Sequence, residues 1–484
     1  MSVGVGVAKA GALAIINATP FDWKRIYTHD YQMGSWDLPE EIKSGDLAGV
    51  EIDFSILGHR EDSAGEATYS FKSDTGHESE LQFQARYDDG PQMFVELTNA
   101  STFGNPPSDP PIDMVYSSDT TNPFIYSGDL RASFASTHTP FNWQAQNLPS
   151  IGCQPLTRLC LPASHNAGMS VLGTHTALAN EANTLCHSTD IFGQLEAGIR
   201  YFDIRPAISD GEFVTGHYSA LSADSKLPID LPGFLDPIDD ALNSFQGGNG
   251  LSISDVIKQV NAFTAKNSEL IILSVSHTLN TDDKYQRFTQ DQLNDLLKQF
   301  GDLKHLWHAP DNVADLTTLT LNDFIKKGPA VLVVLDNAAT GESMACPDDL
   351  HRKGFYTNDD FPILNQFTDT GKINDMSADQ VKKMSDFQAG KSSKNKGLFA
   401  ASWTLTPDAL GDIRKQSEEA HSRLVGDLWP VVSEKGKGKE GVYPNLVMVD
   451  GVGSGRGSAI KQGNLAAFCM AVNAWVNKDC RLKK

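Results

Sequence analysis

Between residues 161 and 217, side chains able to do chemistry stand at the ends of short apolar runs. Leu159, Cys160 and Leu161 lead to His165 and Asn166. The run 199–204 carries Asp203 and leads to Arg205. Phe213 and Val214 lead to His217. Far downstream, Leu446-Val-Met-Val ends on Asp450. Histidine titrates near neutrality, so two of them can serve as a general base and a general acid. A guanidinium stays charged and grips an anion with a planar fork. A carboxylate on the far ring nitrogen would fix the tautomer of the base. In a barrel of parallel strands, strand ends and the loops after them form the active-site face.

Three pieces in this order, Ser164-His165-Asn166, Gly198-Ile-Arg-Tyr-Phe-Asp203-Ile-Arg205 and Gly216-His217, resemble the X-domain of phosphatidylinositol-specific phospholipase C. The likeness is to the bacterial-type single-barrel enzymes and covers about the last two thirds of the chain. It implies a phosphodiesterase that uses histidine acid–base catalysis on a phosphoinositide-like lipid. His165 would be the base, His217 the acid and Asp450 the carboxylate behind the base. Arg205 stands two residues after Asp203, where metal-independent members carry arginine and calcium-dependent members a carboxylate. The resemblance therefore implies no cofactor, with Ca2+ as the alternative. His277, after the run 271–276, and Trp403, after 399–402, are expected to line the substrate pocket.

The chain departs from that pattern at three places. Asn166 replaces the usual aspartate of the bacterial type and cannot couple to His217 as a carboxylate would. Ser276 stands where the calcium type has a glutamate ligand. The run Ala330-Val-Leu-Val-Val-Leu-Asp336 lacks the basic residues that grip inositol. These departures keep two other functions open. One is a lipid-binding or membrane-active protein on a degenerate barrel. The other is a metal-dependent glycerophosphodiester or sphingolipid phosphodiesterase.

The elements that must carry these residues are an α/β TIM-like (β/α)8 barrel over 141–484 and an all-β sandwich over 1–140. Strands are predicted at 157–161, 200–205, 270–276, 330–336, 397–402 and 446–450. A closed barrel needs eight, so the remaining two are sought in 300–310 and in 350–366 or 424–434. Helices are predicted at 253–265, 290–300, 408–426 and 462–476, the last with one apolar stripe. In the first domain, short alternating runs at 12–16, 49–54, 67–71, 80–85 and 92–97, separated by turn residues, suggest an antiparallel sandwich. Its aromatic residues Phe21, Trp23, Tyr27, Tyr31 and Trp36 suit core packing, or else a half-wet membrane interface. The segment loosely resembles aegerolysin-type lipid-binding sandwiches. If it serves membranes, deleting 1–135 should spare hydrolysis of a soluble substrate and weaken action on vesicles.

A net charge of −21 argues against nucleic acid as a partner and against simple electrostatic attachment to anionic membranes. The expected partner is a phospholipid or membrane surface met as substrate; oligomeric state is not legible. No apolar run approaches the roughly 20 residues of a membrane span. The first 18 residues lack a basic leader, which leaves the cytoplasm, a signal already removed, or non-classical export. The six cysteines show no zinc-like spacing and read as buried thiols in preference to disulfides. Asn17 and Asn99 match the glycosylation pattern.

Overall fold

The computed structural model describes residues 11–54, 60–73, 76–100, 102, 111–129, 132–135, 139–220, 245–337, 345–391, 396–406, 411–434, 441–453, 464–477 and 480–482. Residues 105–110 of a proline-rich stretch, the basic stretches 392–395 and 435–440 and residues 454–457 of a glycine-rich run fall outside these residues.

Alternation in the first third builds two sheets. One has six strands, ordered Glu41–Ile42, Trp23–Tyr31, Ala64–Lys72, Glu78–Tyr87, Pro91–Thr98 and Ile112–Asp113. The other has five, ordered Ala132–Ala135, Asn122–Asp129, Ala12–Ala18, Leu47–Phe54 and Met33–Trp36. Leu13, Val50 and Phe124 from the second sheet and Tyr69, Phe83 and Val95 from the first share one core. One pairing departs from the antiparallel expectation. Ala12–Ala18 runs parallel to Asn122–Asp129, from Leu13 opposite Asn122 to Ala18 opposite Ser127. That strand is buried along its whole length. Leu13 and Ile15 face the shared core, while Ala14, Ile16 and Ala18 join the core of the barrel. Burial on both faces is why it reads as a continuous apolar run.

Of the aromatic cluster, Trp23 and Trp36 are buried and Phe21 packs on Phe71, while Tyr27 and Tyr31 are exposed. Asn17 cannot accept a glycan in this fold. It is fully buried, and its amide donates to the carbonyls of Phe21 and Ile42.

The second sheet system has eight parallel strands. In spatial order they are Phe355–Thr357, Ala330–Leu335, Leu270–Val275, Tyr201–Ile204, Leu161–Ser164, Leu446–Val449, Leu398–Ser402 and Ile363–Asn365. The chain's first and last strands of this sheet are neighbours, paired from Leu161 opposite Leu446 to Ser164 opposite Val449. The expected closed barrel is instead an open, curled sheet. Its two outer strands, Phe355–Thr357 and Ile363–Asn365, form no ladder with each other. Five residues connect them, and parallel neighbours need a crossover of about a dozen. Both missing strands thus lie in 350–366. The stretch 300–310 contributes isolated bridges through Leu306 and His308, and 424–434 belongs to the helix Ile413–Ser433.

The first strand begins four residues later than predicted, because Leu156–Arg158 turns as a 3-10 helix. The last helix, Asn464–Val476, is buried nearly all round rather than on one stripe. Leu465, Phe468 and Val472 share a core with Ile16 and Ile125 of the N-terminal sheet, while Ala466, Ala467 and Met470 pack under the first barrel strand. Cys153 and Cys480 form a disulfide, against the free-thiol expectation. The two lie 327 positions apart, so no local spacing could announce the pair. Among the described residues no helix is long and apolar enough to cross a membrane.

Candidate active site

His165 and Asn166 follow the first barrel strand, and the ladder continues to them: His165 N donates to Val449 O at 3.0 Å. Asn166 has φ 47°, a left-handed conformation that asparagine tolerates better than most residues. Its backbone N–H thereby reaches Asp203 Oδ2 at 3.0 Å. Close behind, Gly168 leaves room for Thr215; a Cβ there would lie 2.3 Å from the Thr215 hydroxyl.

Asp450 follows the last strand, 285 positions from His165, and its Oδ1 lies 2.9 Å from His165 Nδ1. Arg205 Nη2 lies 2.7 Å from His165 Nε2. A guanidinium can only donate, so His165 Nε2 accepts and the ring proton sits on Nδ1, facing Asp450. The tautomer is set from both sides. Asp203 anchors the arginine through Arg205 Nε at 2.9 Å. Its other oxygen accepts from Ser276 Oγ at 2.8 Å, and Ser276 Oγ lies 2.8 Å from His277 Nδ1. Burial alone would raise Asp203, but Arg205, His165 and His277 hold it well below the usual carboxylate range. Burial likewise opposes ionisation of Asp450, and His165 outweighs it and lowers the group. Both carboxylates stay charged.

His217 does not follow a barrel strand. It rides on the antiparallel strand Glu212–Ala220, opposite Gly248 of Phe245–Ser252, in a four-stranded sheet that caps this face. A bulge between Val214 and Gly216 re-aims the strand just before it. His217 Nδ1 lies 3.1 Å from Thr184 O, so this nitrogen holds the proton and Nε2 offers a lone pair. Burial, with Arg205 and His165 nearby, lowers its pKa to about 4.

His165, Arg205, His217, His277 and Asp450 all line one cleft of about 630 Å³. Asn365, Gln366, Phe367, Lys383 and Thr406 form part of its other wall. Phe367 is strongly exposed. Trp403, expected in the pocket, is turned away. It is fully buried in the core, and its indole donates to Ala420 O at 2.7 Å. The strand alternates faces, so the neighbours Ser402 and Thr404 line the cleft instead. Asn166 meets the cluster through its backbone, while its buried side-chain oxygen and nitrogen have no hydrogen-bond partner among the described residues.

Sequence reading missed two residues of this site. Cys186 lies in the cleft wall. His187, next to it, is fully buried. His187 Nε2 lies 2.7 Å from His165 O, and its Nδ1 accepts from Val452 N at 3.2 Å. This ring ties the loop of His165 to the loop of Asp450. Burial lowers its pKa to about 4, so it stays neutral and serves as donor and acceptor at once. Leu185-Cys-His-Ser188 follows no apolar run and carries no motif; only the fold brings it there.

The donor set does not fit calcium. Calcium takes six to eight oxygens. Here Asp203 already accepts from Arg205, Asn166 N and Ser276, and a fixed positive charge stands 2.9 Å from it.

The chain is similar in structure to phosphatidylinositol-specific phospholipase C from Listeria monocytogenes, at 15% identity and TM-score 0.42, over 68% of this chain and 98% of that one. It is similar to a mutant of the Staphylococcus aureus enzyme of the same name at 13% identity and TM-score 0.42, over 68% and 98%. No protein-family model matches the sequence, and no curated protein matches it.

Proposed function

We propose that the protein is a phospholipase C-type phosphodiesterase that cleaves a phosphoinositide-like lipid without a metal. The observation that carries this reading is the chain of contacts Asp450–His165–Arg205–Asp203 on the wall of an open cleft that also holds His217. His165 Nε2 takes the proton of a substrate hydroxyl that replaces Arg205 on this lone pair, and Asp450 stabilises the imidazolium. That hydroxyl attacks phosphorus. Arg205 donates to the phosphoryl oxygen, the electrostatic task a cation would otherwise perform. His217 returns a proton to the leaving glycerol oxygen. The anionic substrate favours its protonated form, which burial beside Arg205 and His165 otherwise disfavours. The exposed Phe367 at the cleft wall suits a substrate presented at a lipid surface.

The test is turnover of a soluble inositol phosphodiester. His165→Ala and His217→Ala should each lower it by roughly 100-fold or more, and EDTA should leave the wild type active. A lipid-binding protein on the same fold would bind vesicles and release no product. Loss of activity in EDTA that calcium restores would favour the metal-dependent alternative.

A further inference from the structure

One side chain in the cleft wall is left unused by the proposed chemistry. Cys186 is fully buried, and its Sγ lies 3.9 Å from His217 Nδ1 and 3.9 Å from Thr184 O. One ligand atom each from Cys186, His165 and Asp450 lie within 4.8 Å of one another. Around four-coordinate zinc, with bonds of about 2.0–2.3 Å, donors stand roughly 3.5 Å apart. The pair His165 Nδ1 and Asp450 Oδ1, at 2.9 Å, has to open by roughly 0.6 Å and the thiol to close in by about 1 Å. A thiolate, an imidazole and one carboxylate suit a borderline or soft cation, and three protein ligands leave a fourth position open toward the cleft. Calcium and magnesium prefer all-oxygen shells that this corner cannot supply.

We propose that Cys186, His165 and Asp450 form an inhibitory site for thiophilic divalent cations of the zinc and cadmium class. Binding forms a metal–sulfur bond and releases the thiol proton to solvent, so affinity rises with pH. The imidazole stays neutral. Coordination through Nδ1 moves its proton to Nε2, which can then no longer accept from Arg205. One cation thus removes the lone pair of the base, its orienting carboxylate and the seat of the guanidinium. The binding rests on donor geometry alone; the inhibition rests on the activity proposed above.

The experiment is a cadmium titration of the metal-free full-length protein. Three quantities are followed: the ultraviolet cadmium–thiolate charge-transfer band, proton release and turnover of the soluble phosphodiester. One cadmium should bind per chain with release of one proton and loss of turnover. A hundredfold excess of magnesium or calcium should not compete. Cys186→Ser should lose the band, with Cys186→Ala as a second variant if a buried hydroxyl prevents folding. Arg205→Ala should bind cadmium roughly 10-fold tighter, because a repelling charge and a competing donor are gone. No other thiol would sense that change. A band unchanged in the cysteine variants, or an affinity indifferent to Arg205→Ala, would overturn the site. A saturated band with undiminished turnover would overturn the inhibition. A protein that shows the band and never turns over supports the site and counts against the proposed activity.

Discussion

Arg200 and Arg205 flank one strand, Tyr201–Ile204, with the same charge and opposite tasks. Arg200 is fully buried at the strand's entry, with Nε 2.7 Å from Glu269 Oε2. Glu269 also accepts from the backbone N–H groups of Gln144 and Ala145 and so holds the first turn of the helix Trp143–Ile151. Arg205, at the exit, reaches His165 in the cleft. Arg200→Leu leaves Glu269 buried without its cation and should cost about 3–5 kcal/mol in denaturant-measured stability. Arg205→Ala should cost less stability than Arg200→Leu, because Asp203 keeps the Asn166 N–H and Ser276 Oγ as donors, and should abolish most turnover, with Arg205→Lys recovering only part because a point charge does not reproduce the fork. Equal loss of stability in both variants would contradict this division. His187 acts at the same scale, through its neighbours. His187→Leu should lower kcat roughly 10- to 100-fold at constant KM, the scale expected for a misplaced reacting group. His187→Gln, which can still donate and accept, should recover most of it. If both variants lose stability and activity in parallel, the ring is packing and not positioning.

At the scale of elements, the hairpin Glu212–Ala220 with Phe245–Ser252 brings the second histidine in from above the strand ends. That placement half-buries His217 and keeps it neutral at pH 7, with a pKa of about 4. An acid must first gain its proton. The value kcat/KM reports the free enzyme, so it should fall as pH rises above about 4. A bound phosphodiester anion favours the protonated ring, so kcat should fall only at higher pH. His217→Gln should remove that alkaline limb. A kcat/KM that stays flat from pH 4 to 7 would take the acid role from His217.

For the whole molecule, the last helix decides how the two parts depend on each other. Asn464–Val476 lies between the barrel and the five-stranded sheet, and Ile16 and Ile125 share its core. Trp429, which packs on Trp475, also donates to Gly45 O at 3.0 Å. Deletion of 1–135 would bare this helix along one side. The expected outcome is therefore a chain that aggregates or unfolds, with soluble and vesicle substrates lost alike. This replaces the expectation of a separable membrane module. A truncated chain that folds with the native melting temperature and hydrolyses the soluble substrate would restore it.

Much of the site was legible because its signals are local. His165, Arg205 and Asp450 each follow an apolar run and Asp203 lies one residue before the end of one, and a strand end can be read from a few neighbouring residues. Five of the six predicted strands were equally plain, since burial on both faces makes continuous apolar runs; the first was placed four residues too early, where Leu156–Arg158 turns as a 3-10 helix. Three-residue strands such as Phe355–Thr357 carry too few residues to show any period, and they were located only as a region. The opening of the sheet between Phe355–Thr357 and Ile363–Asn365 followed from a connection too short for a crossover. Trp403 was assigned to the cleft because sequence order says a residue follows a strand and not which face it takes. His187, Cys186 and the bridge from Cys153 to Cys480 depend on contacts between segments far apart along the chain. A contact of that kind leaves no mark on the residues beside it, because it exists only once the sheet has curled and brought its first and last strands together.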